Sequence, residues 1–576
     1  KKAMPEETQI HADYLVLGAG ATGMAFVDSL LTEWEKSSSK DKSIVVVDAH
    51  DKPGGHWNDA YPFVTLHQPS RYYGVNSKTL EKDPSNELEV STKDEILQYY
   101  DEVMEERFLK SGRVQYFSLC KWSKDRELKQ VYAESAERLK KEAAAAAKTE
   151  KQAPASTEAD ENRSTSTACT ETSMATHVYD CLKEFRFFSS ADSEKKYVVS
   201  GPSGDGGVLK VVDTTYLHVE VPSISPAVQA GRFSIEEGAD ATLVPVNDVV
   251  KYVGEGPEAG TKSQFVIIGG GKTSIDAVLY VLKHGVDPAA IHWIMPRDSW
   301  LLMREVFRTQ SYIDLFDLDK FVDGWAQAQS VDDMFLLGEK EGIYARIDDS
   351  VTPEQWKCAT VTRAEMEELR KIPKENMLRG CGRLQTIGKD KMVFKKDGKE
   401  VAMDASSTLY VDCSSCGLPT KPLVPVFNGN LITLQPLVTC QVVFSAAFIA
   451  FIEGSEKLAY RSLPKESDLA REAAKNKLCL PLAYPNVPLD DCKSNVRTET
   501  TCDLWEADRT VRKWIVKARL FEAARPQLKF TTWQTMKFCW KNRRFLMTDY
   551  KGRFERALDN LRKLSGEAEG YWARPY

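Results

Sequence analysis

Residues 13–48 read DYLVLGAGATGMAFVDSLLTEWEKSSSKDKSIVVVD, and they carry the clearest indication of the fold. A short apolar run from Tyr14 to Leu17 ends at a glycine, and apolar residues then recur at helical spacing from Ala21 to Glu33. A polar loop leads to a second apolar run, Ile44 to Val47, which is long enough for a buried parallel strand. The stretch therefore predicts a strand, a glycine turn, a helix and a second strand, as in α/β proteins.

The glycines of this turn form a Gly-x-Gly-x-x-Gly pattern with specific physical demands. Gly18 permits a tight turn, Gly20 lets the backbone approach a pyrophosphate, and Gly23 lets the helix and strand pack closely. The start of the helix would present unpaired N–H groups to phosphates. Asp48 ends the second strand, where an acid can accept hydrogen bonds from ribose hydroxyls. The pattern predicts a dinucleotide site; the alternative is a glycine-rich turn in an unrelated α/β fold.

A second glycine turn follows the apolar run at residues 265–268 and reads Gly269-Gly270-Gly271-Lys272-Thr273-Ser274. A P-loop would need a glycine five residues before Gly271, where the chain has Val266. The better register is Gly269-x-Gly271-x-x-Ser274, with Lys272 and Thr273 inside the turn. This register predicts a second dinucleotide site.

The strand after the second turn indicates which coenzyme binds there. This strand, Ile291 to Met295, is followed by Pro296 and Arg297 rather than by an acid. An arginine at this position can receive a 2′-phosphate, which favours NADP over NAD, and Lys272 could share that phosphate. The alternative for Arg297 is an ordinary surface salt bridge.

A third motif, Gly54-Gly55-His56-Trp57, lies shortly after Asp48. Together with the two glycine turns, it resembles the two-dinucleotide-binding-domain flavoproteins, and within them the flavin-containing monooxygenase-like group. The resemblance covers most of residues 13–125, 178–300 and 378–420. It implies FAD at the first turn and NADPH at the second.

The resemblance also implies roles for particular residues. Asp48 would hold the FAD ribose, Gly54, Gly55 and Trp57 would line the approach to the flavin, and His56 could donate toward the ring. Residues 211–215 resemble the strand that returns toward FAD, and residues 411–417 resemble a later segment that approaches its ribityl–phosphate arm. The further candidate residues that follow from these matches are Gln68, near the flavin, and Asp213, Thr215, Asp412 and Gly417.

One signature of this group is missing. The pattern FxGxxxHxxx(W/Y) is expected between the two turns, but the comparable region, Phe233 to Asp248, contains no histidine. The leading interpretation is an NADPH-dependent monooxygenase that acts with molecular oxygen on a small organic substrate. The alternatives are an NADPH-dependent flavoprotein reductase or dehydrogenase without oxygenation, and a nucleotide-sensing interaction protein.

The predicted architecture is α/β, with two Rossmann-like dinucleotide-binding domains and a mostly helical C-terminal region. We expect a discontinuous FAD-binding domain, an NADPH-binding domain with a helical insertion, since residues 301–375 look mostly helical, and a disordered low-complexity insertion. The predicted limits are 10–139, 177–260 and 384–455 for the FAD-binding parts, 140–176 for the low-complexity insertion, 261–383 for the NADPH-binding domain, and 456–576 for the C-terminal region.

The composition and charge argue against a nucleic-acid-binding protein and against a membrane-spanning segment. The 576 residues are 42% hydrophobic and 28% charged with a net charge of −7, which is ordinary for a globular protein and a poor match to nucleic-acid binding. The basic, aromatic-rich residues 501–576 are interpreted as an amphipathic helical cap rather than a nucleic-acid or membrane surface. The apolar stretch 438–452 is too short to span a bilayer and is predicted to be a buried helix.

The 12 cysteines are scattered, which is typical of free thiols in a reducing compartment. No apolar segment of a secretory signal is visible in residues 1–14, so the expected location is the cytoplasm. Cys413 and Cys416 could form a redox pair or half of a zinc site, but no second ligand pair is evident. They are interpreted as buried small residues, and no metal is predicted.

Overall fold

The computed structural model describes most of the chain. The described residues are 7–37, 41–122, 184–192, 195–202, 207–216, 231–308, 318–414, 424–437, 442–456, 468–479, and positions 549, 552, 553, 556, 557 and 560. Three predictions fall wholly or largely outside them: the low-complexity insertion at 140–176, the positions Cys416 and Gly417, and most of the C-terminal region 456–576.

The described strands form five sheets. In chain order they are β1 (Glu7–His11), β2 (Tyr14–Leu17), β3 (Ile44–Val47), β4 (Val114–Phe117), β5 (Cys120–Trp122), β6 (Glu184–Ser189), β7 (Lys196–Ser200), β8 (Lys210–Asp213), β9 (Ser234–Ile235), β10 (Thr242–Pro245), β11 (Gln264–Ile268), β12 (Ile291–Met295), β13 (Ser299–Met303), β14 (Tyr344–Ala345), β15 (Gln355–Val361), β16 (Met377–Arg379), β17 (Leu384–Ile387), β18 (Lys391–Phe394), β19 (Glu400–Ala402), β20 (Thr408–Asp412), β21 (Phe427–Asn428) and β22 (Leu431–Thr433).

The described α-helices connect or cover these strands. In chain order they are α1 (Ala21–Lys36), α2 (Lys93–Val103), α3 (Lys272–Lys283), α4 (Leu318–Gln327), α5 (Val331–Lys340), α6 (Arg363–Leu369), α7 (Val442–Gly454) and α8 (Asp468–Leu478). None of the helices in the described ranges is long and apolar enough to cross a membrane.

The first glycine turn belongs to a six-stranded sheet with the order β21-β22-β8-β2-β3-β4. Its neighbours pair in parallel, except that β21 and β22 are antiparallel. Strands β2 and β3 are buried along their whole length, in agreement with their uninterrupted apolar sequences. The strand, helix and strand predicted for residues 13–48 are therefore confirmed, with α1 extending to Lys36.

Helix α7 packs on α1 and is buried almost throughout, so the buried helix predicted for residues 438–452 is confirmed from Val442 onward, while 438–441 lie outside the described residues. A Cβ atom on Gly454 would lie 3.0 Å from the Cβ atom of Glu33, which shows how closely the two helices approach. The neighbouring Glu453 accepts hydrogen bonds from Tyr14 Oη (2.7 Å), Lys475 Nζ (2.5 Å) and Lys210 Nζ. Burial raises the pKa of Glu453, but the two lysines outweigh it and hold the pKa well below its ordinary value.

The second glycine turn belongs to a fully parallel five-stranded sheet with the order β10-β20-β11-β12-β16. The predicted unit of strand, helix and strand is confirmed as β11, α3 and β12. Along the chain, the six-stranded sheet receives β2, β3, β4 and β8 before the five-stranded sheet begins, and β21 and β22 after it ends. Strands β10 and β20 pair here, although the predicted limits group both with the FAD-binding parts.

The smaller sheets lie around these two. The sheet β1-β7-β6-β5 shares a core with the six-stranded sheet. Residues 301–375 were predicted to be mostly helical, which is wrong in part, because β13, β14 and β15 form a sheet there beside the three helices α4, α5 and α6. The predicted turn at Asp397-Gly398 is confirmed, since both residues have positive φ angles (55° and 61°) between β18 and β19.

Candidate functional site

The first glycine turn joins β2 to α1 through tight backbone contacts. Gly18 has a φ of +108°, a conformation that favours glycine, and a Cβ atom on Gly23 would lie 2.1 Å from the carbonyl oxygen of Gly18. The hydroxyl of Thr214 donates to the carbonyl of Leu17 (2.7 Å) on the neighbouring strand end. Gly18 and Gly23 are therefore required by packing within the turn.

Asp48 lies at the carboxyl end of β3, and both of its oxygens are engaged. Ala19 N–H donates to Oδ2 (2.5 Å), while the backbone N–H and the ring Nδ1 of His50 contact Oδ1 at 2.8 and 2.9 Å. The carboxylate is only 4% exposed. Asp48 is thus hydrogen-bonded to the first glycine turn through Ala19, and its role as a ribose-binding acid stays a prediction.

His50 was not among the predicted site residues. Its ring bridges two carboxylates, because Nε2 also contacts Asp59 Oδ2 at 2.8 Å. The hydrogen bond to Asp48 is the main cause that raises the pKa of His50 to about 9; the bond to Asp59 adds to it and burial opposes it. His50 is therefore a cation at neutral pH. The available sequence signal is a histidine two residues after the acid that ends the strand.

The motif Gly54-Gly55-His56-Trp57 lies directly over the first turn. Gly54 N–H donates to the carbonyl of Ala19 (2.8 Å), and a Cβ atom on Gly55 would lie 2.8 Å from the Cα atom of Gly20. Trp57 is buried, whereas His56 is exposed and stacks on Trp57 with ring centroids 5.5 Å apart. The two glycines therefore let a second stretch of backbone cover the turn.

Gln68 and its neighbour His67 follow this motif by about ten residues in the sequence. Gln68 is 3% exposed, and the carbonyl of His67 accepts a hydrogen bond from Arg304 Nε (2.9 Å). The ring nitrogen Nδ1 of His67 is buried and has no hydrogen-bond partner within the described residues. Burial, and then the charges of Lys272 and Arg304, lower the pKa of His67 to about 3, so the ring is neutral.

The second glycine turn joins β11 to α3 and, among the described residues, is open at Gly271. Gly269 has a φ of +134°, and its carbonyl accepts a hydrogen bond from the buried indole of Trp293 (2.7 Å). A Cβ atom on Gly271 would meet no described atom within 4 Å. The buried Ser274 donates to the carbonyl of Gly271 (2.6 Å), so the small serine fits the third position of the pattern.

Lys272 is engaged within the protein. Its ammonium pairs with Asp276 one turn along α3, and Tyr61 Oη donates to the other oxygen of Asp276 (2.7 Å). Burial, and then the charge of Asp276, raise the pKa of Tyr61 well above its ordinary value. Phe63 stacks on Tyr280 of the same helix, with ring centroids 4.1 Å apart. The segment after Trp57 therefore docks on the helix of the second turn.

The two helices that follow the glycine turns differ from other helices of the chain at their first residues. Helices α2, α5 and α6 each begin with a capping box, in which a Ser or Thr and an acid satisfy N–H groups. Helices α1 and α3 begin after Gly20 and Gly271, with no side-chain cap and no acid in the first turn. Their N–H groups and dipoles therefore suit an anionic group.

The two sites share a further element, an aspartate on a neighbouring strand. Asp213 ends β8 in register with Leu17, and Asp412 ends β20 in register with Ile268. Each carboxylate accepts two hydrogen bonds from the residue two positions later, Thr215 (2.7 and 2.7 Å) or Ser414 (2.9 and 2.5 Å). Asp412 therefore lies beside the second turn, whereas the resemblance related it to the flavin of the first.

Arg297 follows β12 at the same edge of the sheet as the second turn. Its carbonyl is close to Gly270, where a Cβ atom would lie 2.9 Å away, and it accepts a hydrogen bond from Gln355 Nε2 (3.4 Å). The backbone of Arg297 is thus fixed against the glycine turn. Cys413, next to Asp412, is buried, and burial raises the pKa of its thiol. A search of the described residues finds no group of His, Cys, Asp and Glu that could hold a metal ion.

A surface cleft of about 460 Å³ lies away from both turns. It is lined by the C-terminal half of α1 and by polar and charged residues such as Asn76, Lys78, Glu102 and Arg107. Neither glycine turn contributes to its lining. The chemistry suited to a dinucleotide is therefore found at the two turns and not in this cleft.

Comparisons with known proteins place the chain in a family. No family model matches it. The uncharacterized protein Rv2000 of Mycobacterium tuberculosis (strain ATCC 25618 / H37Rv) is 33% identical over 521 residues, which cover 89% of this chain and 78% of that protein.

Solved structures of similar fold include two monooxygenases. A flavin-containing monooxygenase from Stenotrophomonas maltophilia has a TM-score of 0.36 and 13% identity, covering 74% of this chain and 90% of that one. A polycyclic ketone monooxygenase from Thermothelomyces thermophila has a TM-score of 0.43 and 11% identity, covering 95% and 90%. Because both TM-scores are below 0.5, neither structure supports a cofactor or a reaction for this chain. The sequence identity, in contrast, is sufficient: the chain belongs to the same family as the mycobacterial protein Rv2000.

Proposed function

We propose that the protein is a flavin-dependent oxidoreductase that binds FAD at the first glycine turn and NADPH at the second. The observation that carries this proposal is the pair of uncapped helices, α1 and α3, each starting at a glycine turn on the carboxyl edge of a parallel sheet. Both edges also carry an aspartate on the neighbouring strand. One chain thus has two sites of the type that binds a dinucleotide.

The residues around the first turn fit FAD. Asp48 Oδ1 already accepts two hydrogen bonds from His50, but Oδ2 accepts only that of Ala19 and has a lone pair left for one ribose hydroxyl. Gly18, Gly20 and the first N–H groups of α1 would hold the pyrophosphate. Asp213, Thr215, Trp57, His56 and Gln68 complete the proposed set on this side. When bound, a flavin supplies the ability to accept a hydride and to pass electrons to oxygen or to an organic acceptor.

The residues around the second turn fit a coenzyme with a 2′-phosphate. Gly269, Gly271, Thr273 and Ser274 would form the pyrophosphate turn, and Arg297 would bind the 2′-phosphate. Lys272 takes a smaller part in this proposal than its sequence position suggests, because Asp276 already neutralises its ammonium. Asp412 lies beside the same turn and is proposed to fix the segment that follows β20 through its hydrogen bonds to Ser414.

The leading reaction is the oxygenation of a small organic substrate. A reductase that passes electrons to an organic acceptor is the second candidate, and the missing histidine of the FxGxxxHxxx(W/Y) pattern favours it. A nucleotide-sensing role is the third. We also propose a cytoplasmic location and no nucleic-acid partner.

The decisive experiment starts with the purified full-length chain. Bound flavin should give a yellow protein and release FAD on denaturation, and NADPH should bleach the yellow colour in the absence of oxygen. NADPH oxidation in air is then followed together with oxygen uptake over a panel of small ketones, amines and thioethers. Oxygen incorporation into a product selects the monooxygenase, and turnover with a quinone without oxygen uptake selects the reductase. A colourless, folded protein that binds nucleotides contradicts the flavoenzyme proposal.

A further inference from the structure

A second arginine lies at the edge of the sheet that carries Arg297. Strand β16 pairs in parallel with β12, and its last residue, Arg379, is in register with Met295. Arg297 and Asp298 follow Met295 directly. Because the carboxyl ends of parallel strands meet at one edge, the side chain of Arg379 can reach the residues that follow β12.

Arg379 contacts Asp298, the direct neighbour of Arg297. Its Nε lies 3.0 Å from both carboxylate oxygens of Asp298, which is 9% exposed. Burial raises the pKa of Asp298, and the charge of Arg379 opposes this rise. A negative charge next to Arg297 would repel a phosphate, so Arg379 cancels a charge that would otherwise oppose the proposed 2′-phosphate.

The same corner carries a second carboxylate and a third cation. Arg379 Nη1 lies 3.4 Å from Asp348 Oδ2, and Lys374 Nζ lies 2.8 Å from Asp348 Oδ1. A third carboxylate, Glu354, lies close enough to Asp298 to raise its pKa, so the three cations Arg297, Arg379 and Lys374 balance three carboxylates. An anion at this corner would therefore be bound by directed N–H donors rather than by an excess of positive charge.

One guanidinium nitrogen of Arg379 forms no hydrogen bond within the described residues. The Arg379 side chain is 14% exposed, and its Nη2 is buried and has no hydrogen-bond partner within the described residues. A buried guanidinium N–H without an acceptor is unfavourable, and an anionic oxygen placed there would remove this penalty.

From this arrangement we propose that Arg379 is a second specificity-determining residue, which donates from Nη2 to the 2′-phosphate beside Arg297. Asp298 is the positioning residue that aims its guanidinium. The inference rests on the proposed NADPH site and deepens it, because it identifies what selects the phosphorylated coenzyme besides Arg297.

The test separates phosphate binding from a structural role of the ion pair. Arg379→Gln alone would leave the buried Asp298 without its cation and could unfold this corner. The comparison is therefore between Asp298→Asn and the double variant Asp298→Asn/Arg379→Gln. Binding of adenosine 2′,5′-bisphosphate and of adenosine 5′-monophosphate to the full-length, flavin-containing chain is measured by calorimetry. The two probes differ only in the 2′-phosphate.

We expect the wild type and Asp298→Asn to prefer the bisphosphate. The double variant should bind the bisphosphate about tenfold more weakly than Asp298→Asn and should bind the monophosphate equally well, because one charge-assisted hydrogen bond is lost. Arg346→Gln is the matched control. This arginine is 16% exposed and pairs with Glu339 at 2.8 Å, and its substitution should leave the preference unchanged.

Two results would overturn the inference. If the double variant keeps the preference of Asp298→Asn, or if binding of both probes weakens equally, Arg379 does not bind the 2′-phosphate, although the coenzyme site itself stands. A wild type without any preference for the bisphosphate overturns the NADPH proposal and this inference with it.

Discussion

A second layer of backbone covers Gly20 in the first glycine turn, whereas no described residue covers Gly271 in the second. A Cβ atom on Gly20 would already contact the Cα atom of Gly55 at 3.5 Å, but one on Gly271 would meet nothing within 4 Å in the described residues. The cover consists of Gly54 and Gly55, and the hydrogen bond from Gly54 to Ala19 fixes it. The second turn has the related spacing Gly269-x-Gly271-x-x-Ser274, and within the described residues no such backbone covers Gly271.

This difference matches the two proposed occupants. A flavin must remain bound through many cycles, and a covered turn slows its release. A nicotinamide coenzyme must arrive reduced and leave oxidised in every cycle, and an open turn allows that exchange. We infer that the two turns serve one resident and one exchanging dinucleotide.

The strand ends beside the turns differ as well. The first has a carboxylate, Asp48, held by a protonated histidine, and the second has Arg297. A carboxylate accepts hydrogen bonds from a free ribose, and a guanidinium donates to a phosphorylated one. The two strand ends therefore suit the two different adenosine ends that we propose, a free ribose at the first turn and a 2′-phosphate at the second.

Valine in place of Gly20 or Gly271 should have the largest effects, and they should differ between the two turns. Gly20→Val puts a branched side chain against Gly55 and into the proposed pyrophosphate position, so we expect a folded but colourless protein, or one destabilised by about 1–3 kcal/mol. Gly271→Val has room, so its free energy of unfolding should change by less than about 1 kcal/mol while NADPH reduces the flavin poorly. Flavin absorbance and urea unfolding of both variants are the measurements. A yellow Gly20→Val protein with full flavin content would contradict the first assignment.

Arg297→Ala should have the next largest effect, and only at the second turn. A charge-assisted hydrogen bond is worth roughly 1.5–3 kcal/mol, so use of NADPH should weaken by about ten- to a hundredfold and use of NADH should hardly change. The rate of flavin reduction is measured against the concentration of each coenzyme. Equal slowing with both coenzymes, or a wild type that prefers NADH, would require a different assignment of this site.

The sequence predicts those parts of the fold and site that depend on local chain geometry. Gly18, Gly23 and Gly269 follow from local backbone requirements, and the fully buried strands β2, β3 and β11 follow from their apolar runs. The buried helix α7 is likewise visible as one apolar stretch.

The features that could not be predicted from the sequence depend on contacts between segments that are far apart along the chain. Strand β13 pairs with β15, more than fifty residues later, so neither can be recognised from its own neighbours, and the segment reads as helical. The contact between Tyr61 and Asp276, and the pairing of β20 with β11, join residues far apart in sequence for the same reason. His50 is near Asp48 in sequence, but its second partner depends on how the chain returns at Asp59.

The proton on His50 gives a smaller effect, confined to the first turn. The pKa of His50 is raised from 6.5 to about 9, so the folded state keeps a proton that the unfolded chain releases above pH 6.5. The resulting stabilisation is complete below pH 6.5 and is lost as the pH rises through about 9. Because the ring is 28% exposed, we expect about 1–2 kcal/mol rather than the full value of the shift.

Urea unfolding of the wild type and of His50→Gln from about pH 6 to about pH 10 measures this contribution. The difference between the two should shrink toward high pH, and flavin retention should weaken over the same range while coenzyme binding does not. A difference that grows with pH would have the wrong sign for a raised histidine pKa.

The smallest predicted effect concerns the hydrogen bond from Tyr61 to Asp276, which joins the segment after Trp57 to the helix of the second turn. Tyr61→Phe removes the hydroxyl that donates to Asp276, but Lys272 still pairs with that carboxylate, so no buried charge is left alone. We therefore expect a loss of about 1 kcal/mol in the free energy of unfolding, with flavin content unchanged. Tyr280→Phe is the matched control, because Tyr280 lies on α3, the helix that carries Asp276, and its hydroxyl makes no hydrogen bond to the described residues. Its removal should lower the free energy of unfolding by less. Equal losses in both variants would mean that Tyr61 contributes only its ring to the packing on α3, and that the covered and the open turn are not linked through Asp276.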